Sequence, residues 1–174
     1  GESGGTAGLG AALALGQLDA AAAASVDASL QSLSDITVRT TAAGRNAVLA
    51  ASRINGGDLG LAATLALANV DLNDRAQLHT QPDDADNATT VAGDVTVAAR
   101  SVHAHEARAT AEAVSGVGLG IAAAIADVDA TGEAVLGGAS SVGGAVTVLG
   151  TLASTASTVI AETTVKGEDG GSSA

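Results

Sequence analysis

The sequence predicts an all-β fold, a repeat β-solenoid of the parallel β-helix kind, on three observations. Large and small apolar residues alternate with period two over 117–126, which is the side-chain period of a β-strand. Versions of that stretch occur three times, 52 and 58 residues apart. The 174-residue chain contains no Phe, Trp, Tyr, Met or Cys. Small aliphatic side chains alone fill a core well only where it is thin and regular, as between stacked sheets.

The stretch 117–129 is predicted to form a β-strand. We call it, with its counterparts in the other two units, the organising strand. Its odd positions through 125 carry Val, Leu or Ile with one Ala, and its even positions from 118 to 126 carry Gly or Ala. Because both faces are apolar, we expect both to be buried. The Gly and Ala face has little side-chain volume, so another backbone can approach it closely.

Three copies of this stretch divide the chain into units at about 8–59, 60–117 and 118–169. Self-similarity at this period is typical of repeat architectures. The pattern leaves open whether a unit forms one large coil or two smaller ones. We predict that 1–174 is a single repeat domain, and its Gly-rich ends are typical of a fragment of a longer chain. A second marker, ending in Thr-Val, follows each copy at 35–38, 93–97 and 144–148.

Within the first unit, the segment 19–34 has two interpretations. Five consecutive alanines followed by Val26, Leu30 and Leu33 suit a helix in isolation. The equivalent segments of the other units are poor helices, so a shared fold predicts strand and turn here. The next segment, 36–52, is predicted to form two short strands around a turn at Gly44.

In the second unit, the segment 95–114 alternates between a small face and a charged face, which predicts a strand with its small face inward. The third unit repeats it at 146–165 with Ser and Thr in place of the charges. The second unit also holds an extra acidic segment, 81–87, with the only proline, which predicts a surface loop. The alanines of the small face are Ala107, Ala109, Ala111 and Ala113, and its charged side carries Glu106, Arg108, Thr110 and Glu112.

The negative charge of the chain limits the classes of partner that it can bind. Its formal net charge is −12 and its pI is about 4.2, which disfavours nucleic acid and anionic membranes because both attract basic surfaces. No run of 18 apolar residues occurs without a polar break, so we expect no membrane insertion. The absence of cysteine leaves the redox compartment open.

A family resemblance follows from these residues. The pattern G-x-G-x-A-x-A-x-x-x-V-D at 118–129, together with G-D-V-T-V-A-A at 93–99 and an Ala-alternating strand, resembles the repeats of giant bacterial surface and secreted proteins. These are the filamentous-haemagglutinin-like adhesins and the leukotoxin-like filamentous proteins, and the likeness covers nearly all of 8–169. The resemblance implies a β-solenoid stalk at the bacterial cell surface or outside the cell, with no catalytic residues.

The acidic loop is a candidate calcium site. Asp83, Asp84 and Asp86, with Asn87, offer hard oxygen ligands of the kind Ca²⁺ prefers. They lack the spacing of an EF-hand and the repeat of calcium β-rolls. The alternative is a solvated acidic loop.

Two histidines form a second candidate metal site. His103 and His105 share a face of a strand, and two imidazoles at that spacing suit Zn or Cu. A third ligand would come from a neighbouring coil, for instance His79. The alternative is a polar stretch of an exposed strand.

A recurring aspartate closes each organising stretch, at Asp19, Asp71 and Asp129. At the end of a strand such a residue is most simply a turn former whose side chain accepts hydrogen bonds from nearby backbone N–H groups.

The chain carries no sequence signature of an enzyme. It has no cysteine and no serine in a G-x-S-x-G elbow, and its histidines and carboxylates form no convincing acid–base pair by spacing. We therefore expect a structural segment of an extracellular adhesin or filament, whose partners are neighbouring repeats, other copies of itself and a host or cell-surface receptor. The alternative is a Ca²⁺-dependent or carbohydrate-binding module. Ice binding is a third hypothesis, resting on a row of Thr37, Thr96 and Thr147.

Overall fold

The computed structural model describes residues 7–28, 30–32, 34–79, 89–138 and 140–167. Within those residues the chain forms strands and no helix, arranged as three parallel sheets of three strands each. This confirms the predicted all-β solenoid. The strands are β1 (Ala7–Asp27), β2 (Gln31–Ser32), β3 (Ile36–Asn55), β4 (Leu59–His79), β5 (Thr89–Val91), β6 (Val95–Val114), β7 (Val117–Gly137), β8 (Ser140–Val142) and β9 (Val146–Lys166).

Each repeat forms one large coil. Sheet A contains β1, β4 and β7, sheet B the short strands β2, β5 and β8, and sheet C contains β3, β6 and β9. One strand from each sheet makes a coil, so the first coil is β1–β3, the second β4–β6 and the third β7–β9. Equivalent residues stack in parallel register, with Gly8 beside Gly60 and Gly60 beside Gly118.

Sheets A and C pack face to face, and their small residues lie between them. Gly118 shows why: a Cβ added there would lie 2.8 Å from Cγ1 of Val165 on the opposite sheet. Ala107 and Ala109, on the small face of β6, are fully buried. The prediction that the Gly and Ala face admits a close backbone is confirmed.

The prediction that both faces of the organising strand are buried is wrong. Its large side chains point outward, and Leu9, Val117 and Ile125 are 76%, 66% and 55% exposed. The physical reason is that sheet A has only one neighbouring sheet, which lies too close for leucine rows over the Gly and Ala part of each strand. Leucines fit inside only farther along, at Leu72 and Leu78. The small face therefore takes the interior.

Two local predictions for the first unit have opposite outcomes. β1 extends without interruption through the alanine run to Asp27, so strand rather than helix is confirmed there. The turn predicted at Gly44 is wrong, because β3 is one continuous strand from Ile36 to Asn55. Gly44 points inward, where an added Cβ would collide with the side chain of Leu18.

The corners of the coils are held by glycines and aspartates. Gly56, Gly57 and Gly138 have φ of 78°, 98° and 87°, a backbone region that suits glycine. At the turn before sheet C, Oδ1 of Asp35 accepts a 2.8 Å hydrogen bond from the Asp94 N–H, and Oδ1 of Asp94 accepts one of 2.7 Å from the Ala145 N–H. Each aspartate thus ties its own coil to the next.

Candidate functional site

One end of the solenoid presents an incomplete core. Because the coil climbs as it turns, β3 packs across the core on both β1 and β4, whereas β9 packs mainly on β7. The inward side chains of β9 are therefore left without a covering strand on one side. We call them the open edge: Val146, Val148, Leu152 and Val159 are all about half exposed.

The outer surface of sheet A carries a flat aliphatic patch, which we call the leucine face. It covers the outward positions of the first nine or so residues of each strand, aligned in register across the three coils. Eight of the fourteen exposed large hydrophobic side chains in the described residues lie on it. A contiguous exposed apolar patch of this kind is a candidate interaction surface. The eight are Leu9, Leu13, Leu15, Leu59, Val117, Leu119, Ile121 and Ile125.

The two outer surfaces differ in charge. Sheet C carries six of the seven basic residues of the chain, with three glutamates between them, whereas the outward side of sheet A carries six acidic residues and only Arg75 as a base. The basic residues on sheet C are Arg39, Arg45, Arg53, Arg100, Arg108 and Lys166.

Ion pairs join neighbouring coils on these surfaces. Glu112 lies between Arg53 and Lys166, at 3.3 and 3.5 Å, so one carboxylate links all three coils. Arg108 donates a 2.8 Å hydrogen bond to Glu162, and this bond together with the negative charge of Glu162 raises the pKa of Arg108. Each pair has at least one well-exposed partner, so each adds little to stability.

Polar side chains cross the thin core and bind the opposite sheet. Asp74 is completely buried, and its Oδ2 accepts hydrogen bonds from the backbone N–H groups of Ala42 and Arg100, at 3.2 and 2.7 Å. The side-chain amide of Asn46 donates to the carbonyl oxygens of Gly16 and Asn69, at 3.1 and 2.9 Å. These bonds lock sheets A and C at their close spacing.

The structure places His103 and His105 inside this layer. They share a face, as expected, but are only 6% and 8% exposed, so the alternative of an exposed polar strand is wrong. Their rings stack with centroids 5.9 Å apart, and Nε2 of His105 lies 2.6 Å from the Ser157 hydroxyl. Nδ1 of each ring has no hydrogen-bond partner in the described structure.

The other predicted site residues lie elsewhere. His79, suggested as a third ligand, lies at the end of β4 on the outer surface of sheet A. Among the residues that the structure describes, no group of three or more His, Cys, Asp or Glu side chains could hold a metal ion. The calcium prediction falls on Asp83, Asp84 and Asp86, which lie outside the described residues.

The recurring aspartates are not turn formers, contrary to expectation. Asp19, Asp71 and Asp129 stack in register within β1, β4 and β7, eight residues before those strands end, and they point outward. At this point the outer surface of sheet A changes from the leucine face to an acidic region, while the strands continue. The turn aspartates are instead Asp35 and Asp94.

The outer surface of sheet C carries the threonine row and an irregularity. Thr37, Thr96 and Thr147 do stack in register. Further along, the pairing of β6 with β9 shifts between His103 and Ala104, which leaves Thr155 as an extra residue. A shallow hollow of about 640 Å³ lies over this bulge.

The described residues include no helix with the length and apolarity of a membrane span. No family model, no curated protein and no solved structure matches this chain.

Sequence reasoning anticipates an uncovered end, because a solenoid without caps exposes unpaired strand edges, but it missed the leucine face. A signal for that face was present in the segment 95–114, because its charged side has to face water and its alanines therefore have to face inward. The opposing strand must then also turn its smallest face inward, which leaves its leucines outside.

Proposed function

We propose that this chain is a structural segment of an extracellular bacterial adhesin or filament, a stiff β-solenoid spacer that mediates adhesion or self-association. The observation that carries the proposal is the open edge. Val95 and Val97 in the second coil are 1% and 0% exposed, whereas their partners Val146 and Val148 in the third coil are 50% and 45% exposed. A further coil stacked on β7 and β9 would bury the second pair as well.

The opposite end of the solenoid offers a matching surface. β1 presents inward Gly8 and Gly10, in the positions that Gly60 and Ala62 occupy in the second coil. A second copy placed on the open edge would set its Gly8 beside Gly118, continuing the register that already runs from Gly8 through Gly60. Parallel pairing of this kind extends without a change of geometry. Neighbouring repeats of the same chain or further copies would both fit.

Lysine substitutions at the open edge test the proposal. We expect the unmodified chain to form fibres that lengthen with concentration in negative-stain images. Val148→Lys with Val159→Lys places charges inside the stacking surface and should abolish the fibres, because unpaired strand edges are blocked by charge. The matched control is Leu149→Lys with Ile160→Lys, one position along on the outer side of the same strand, which should leave them intact.

Two results would contradict the proposal. The first is a chain that stays monomeric at high concentration despite its open edge. The second is equal loss of fibres in the inner and outer lysine variants, because stacking through the core edge requires that only the inner pair matters.

A further inference from the structure

We propose that the leucine face is a lateral docking surface for a second copy of this chain, which packs on it as the two sheets of a β-sandwich pack. This inference rests on the proposed function, since it names the partner and the surface for self-association across the solenoid axis.

The spacing of the leucine face matches that of another copy. Its side chains repeat every second residue along each strand and recur in register from coil to coil, as with Leu15, Leu67 and Ile125. Strands in a sheet lie about 4.8 Å apart and alternate residues about 6.6 Å apart. A second leucine face has the same grid, so rows of one copy can interdigitate with rows of the other in aligned packing about 10 Å apart.

The charges permit this pairing when the copies are related by a two-fold axis. A two-fold axis that lies midway between the two sheets, over Ala63 and parallel to the solenoid axis, overlays the leucine faces with their strands antiparallel. Asp71 of each copy then lies beyond the first residue of the partner's strands, since the face occupies the start of the strand. The aspartate rows of the two copies stay roughly 50 Å apart along the strand direction, well beyond the screening length of about 10 Å at 0.1 M salt.

The outer surface of sheet C is a poorer partner despite its opposite charge. Laying the leucine face on it would bury Arg108 with Glu162, or Glu112 with Arg53 and Lys166, under aliphatic side chains. Removing such pairs from water costs more than their attraction returns unless further hydrogen bonds are made. Two leucine faces bury only aliphatic groups.

The small area of the leucine face makes a dimer of two three-coil chains weak. The strength of the dimer should depend on the number of coils. The patch measures roughly 27 Å along the strands and 14 Å across them, so its footprint is about 400 Å² per copy. A standard stable interface buries about 800 Å² of accessible surface per partner. Side chains that project from the sheet expose more than the footprint, and each added coil contributes about 130 Å² more. We therefore expect a reversible dimer that tightens as coils are added.

The test uses the full chain with Val148→Lys and Val159→Lys, so that stacking along the axis is blocked. In this background we expect a monomer–dimer equilibrium in sedimentation. Leu13→Thr, Leu15→Thr and Ile121→Thr together should weaken the dimer at least about tenfold, since threonine keeps the strand preference but removes apolar surface. The control changes three outward residues of sheet C, Leu49→Thr, Val102→Thr and Leu149→Thr, and should leave the dissociation constant within about twofold.

Single cysteines locate the contact, because the chain contains none of its own. A short bis-maleimide should link two copies of an Ala63→Cys variant, at the centre of the leucine face, and should not link an Ala104→Cys variant on sheet C. Preferential linking of Ala63→Cys to Ala104→Cys in a mixture would overturn the proposal in favour of stacking between unlike faces. A monomer that floats with neutral phosphatidylcholine vesicles would overturn it in favour of a lipid partner. Fibres of the unmodified chain with no Ala63→Cys dimer in the blocked background would remove this inference and leave the proposed function standing.

Discussion

The second and third coils share one strand register but bury their inward side chains to very different extents. Ala109 and Ala161 are direct partners on neighbouring strands of sheet C, yet Ala109 is fully buried and Ala161 is exposed. The residue type is identical, so the difference lies in the neighbours: the second coil is covered on both sides and the third on one. The core of this protein is completed coil by coil, and a side chain contributes fully only where a further coil covers it.

The largest expected effect comes from enlarging the same residue in both coils. Ala109→Leu should lower the free energy of unfolding by about 3 kcal/mol, because the thin core has no room for the added carbons. Both substitutions are made in the Val148→Lys and Val159→Lys background, so that no second copy covers the open edge; there Ala161→Leu should change it by less than about 0.5 kcal/mol, as is usual for exposed positions. Urea unfolding followed by far-UV circular dichroism measures both, and equal losses would show that the two coils do not differ in burial.

A smaller effect is expected from the buried carboxylate that only the second coil has, since its stacked partners are Ala22 and Gly132. Asp74→Ala leaves the N–H groups of Ala42 and Arg100 without their acceptor and should cost about 2 kcal/mol. Asp74→Asn keeps an acceptor oxygen and should cost less than about 1 kcal/mol.

The control for this pair is Asp71→Ala, on the outward side of the same strand, which should be nearly neutral. If Asp74→Ala proves as mild as Asp71→Ala in the same urea titration, the bond across the core does not hold the sheets together.

The smallest effect concerns the turn that links the two coils. Asp94→Ala removes the acceptor for the Ala145 N–H and should cost about 1 kcal/mol, with faster hydrogen exchange at Ala145 than elsewhere in β9. Asp58→Ala, at the opposite corner of the coil, serves as the control. An unchanged exchange rate at Ala145 would mean that this aspartate does not tie the third coil to the second.

The sequence was sufficient for the β-structure, the three repeat units and the small inner face, because alternation with period two indicates a strand and rows of Gly and Ala indicate that another backbone lies close. It did not decide between one coil and two in each unit. It also placed Ala107 and Ala109 correctly, since the charges between them have to face water. A fixed repeat further predicts stacking in register, as found for Thr37, Thr96 and Thr147.

The remaining features depend on partners that are distant in the chain. Gly44 suggests a turn until Leu18 is known to pack against it. His103 and His105 are polar and therefore suggest an exposed strand, until it is known that the opposite sheet covers them. Asp71 suggests the end of a strand because polarity changes there, although the strand continues to His79. When both faces of a strand are apolar, the sequence of that strand alone does not say which face lies inside.

The long strands also set how far such a protein can extend. One coil uses 52 to 58 residues to advance about 4.8 Å, whereas a single α-helix advances about 1.5 Å with every residue. The same residues give the coil a breadth of roughly 65 Å. Adding repeats therefore lengthens the object slowly while enlarging its broad sides quickly. An array of these coils is therefore broad and flat. Each added repeat enlarges the outer surfaces of sheets A and C, whereas the area of the two ends stays the same.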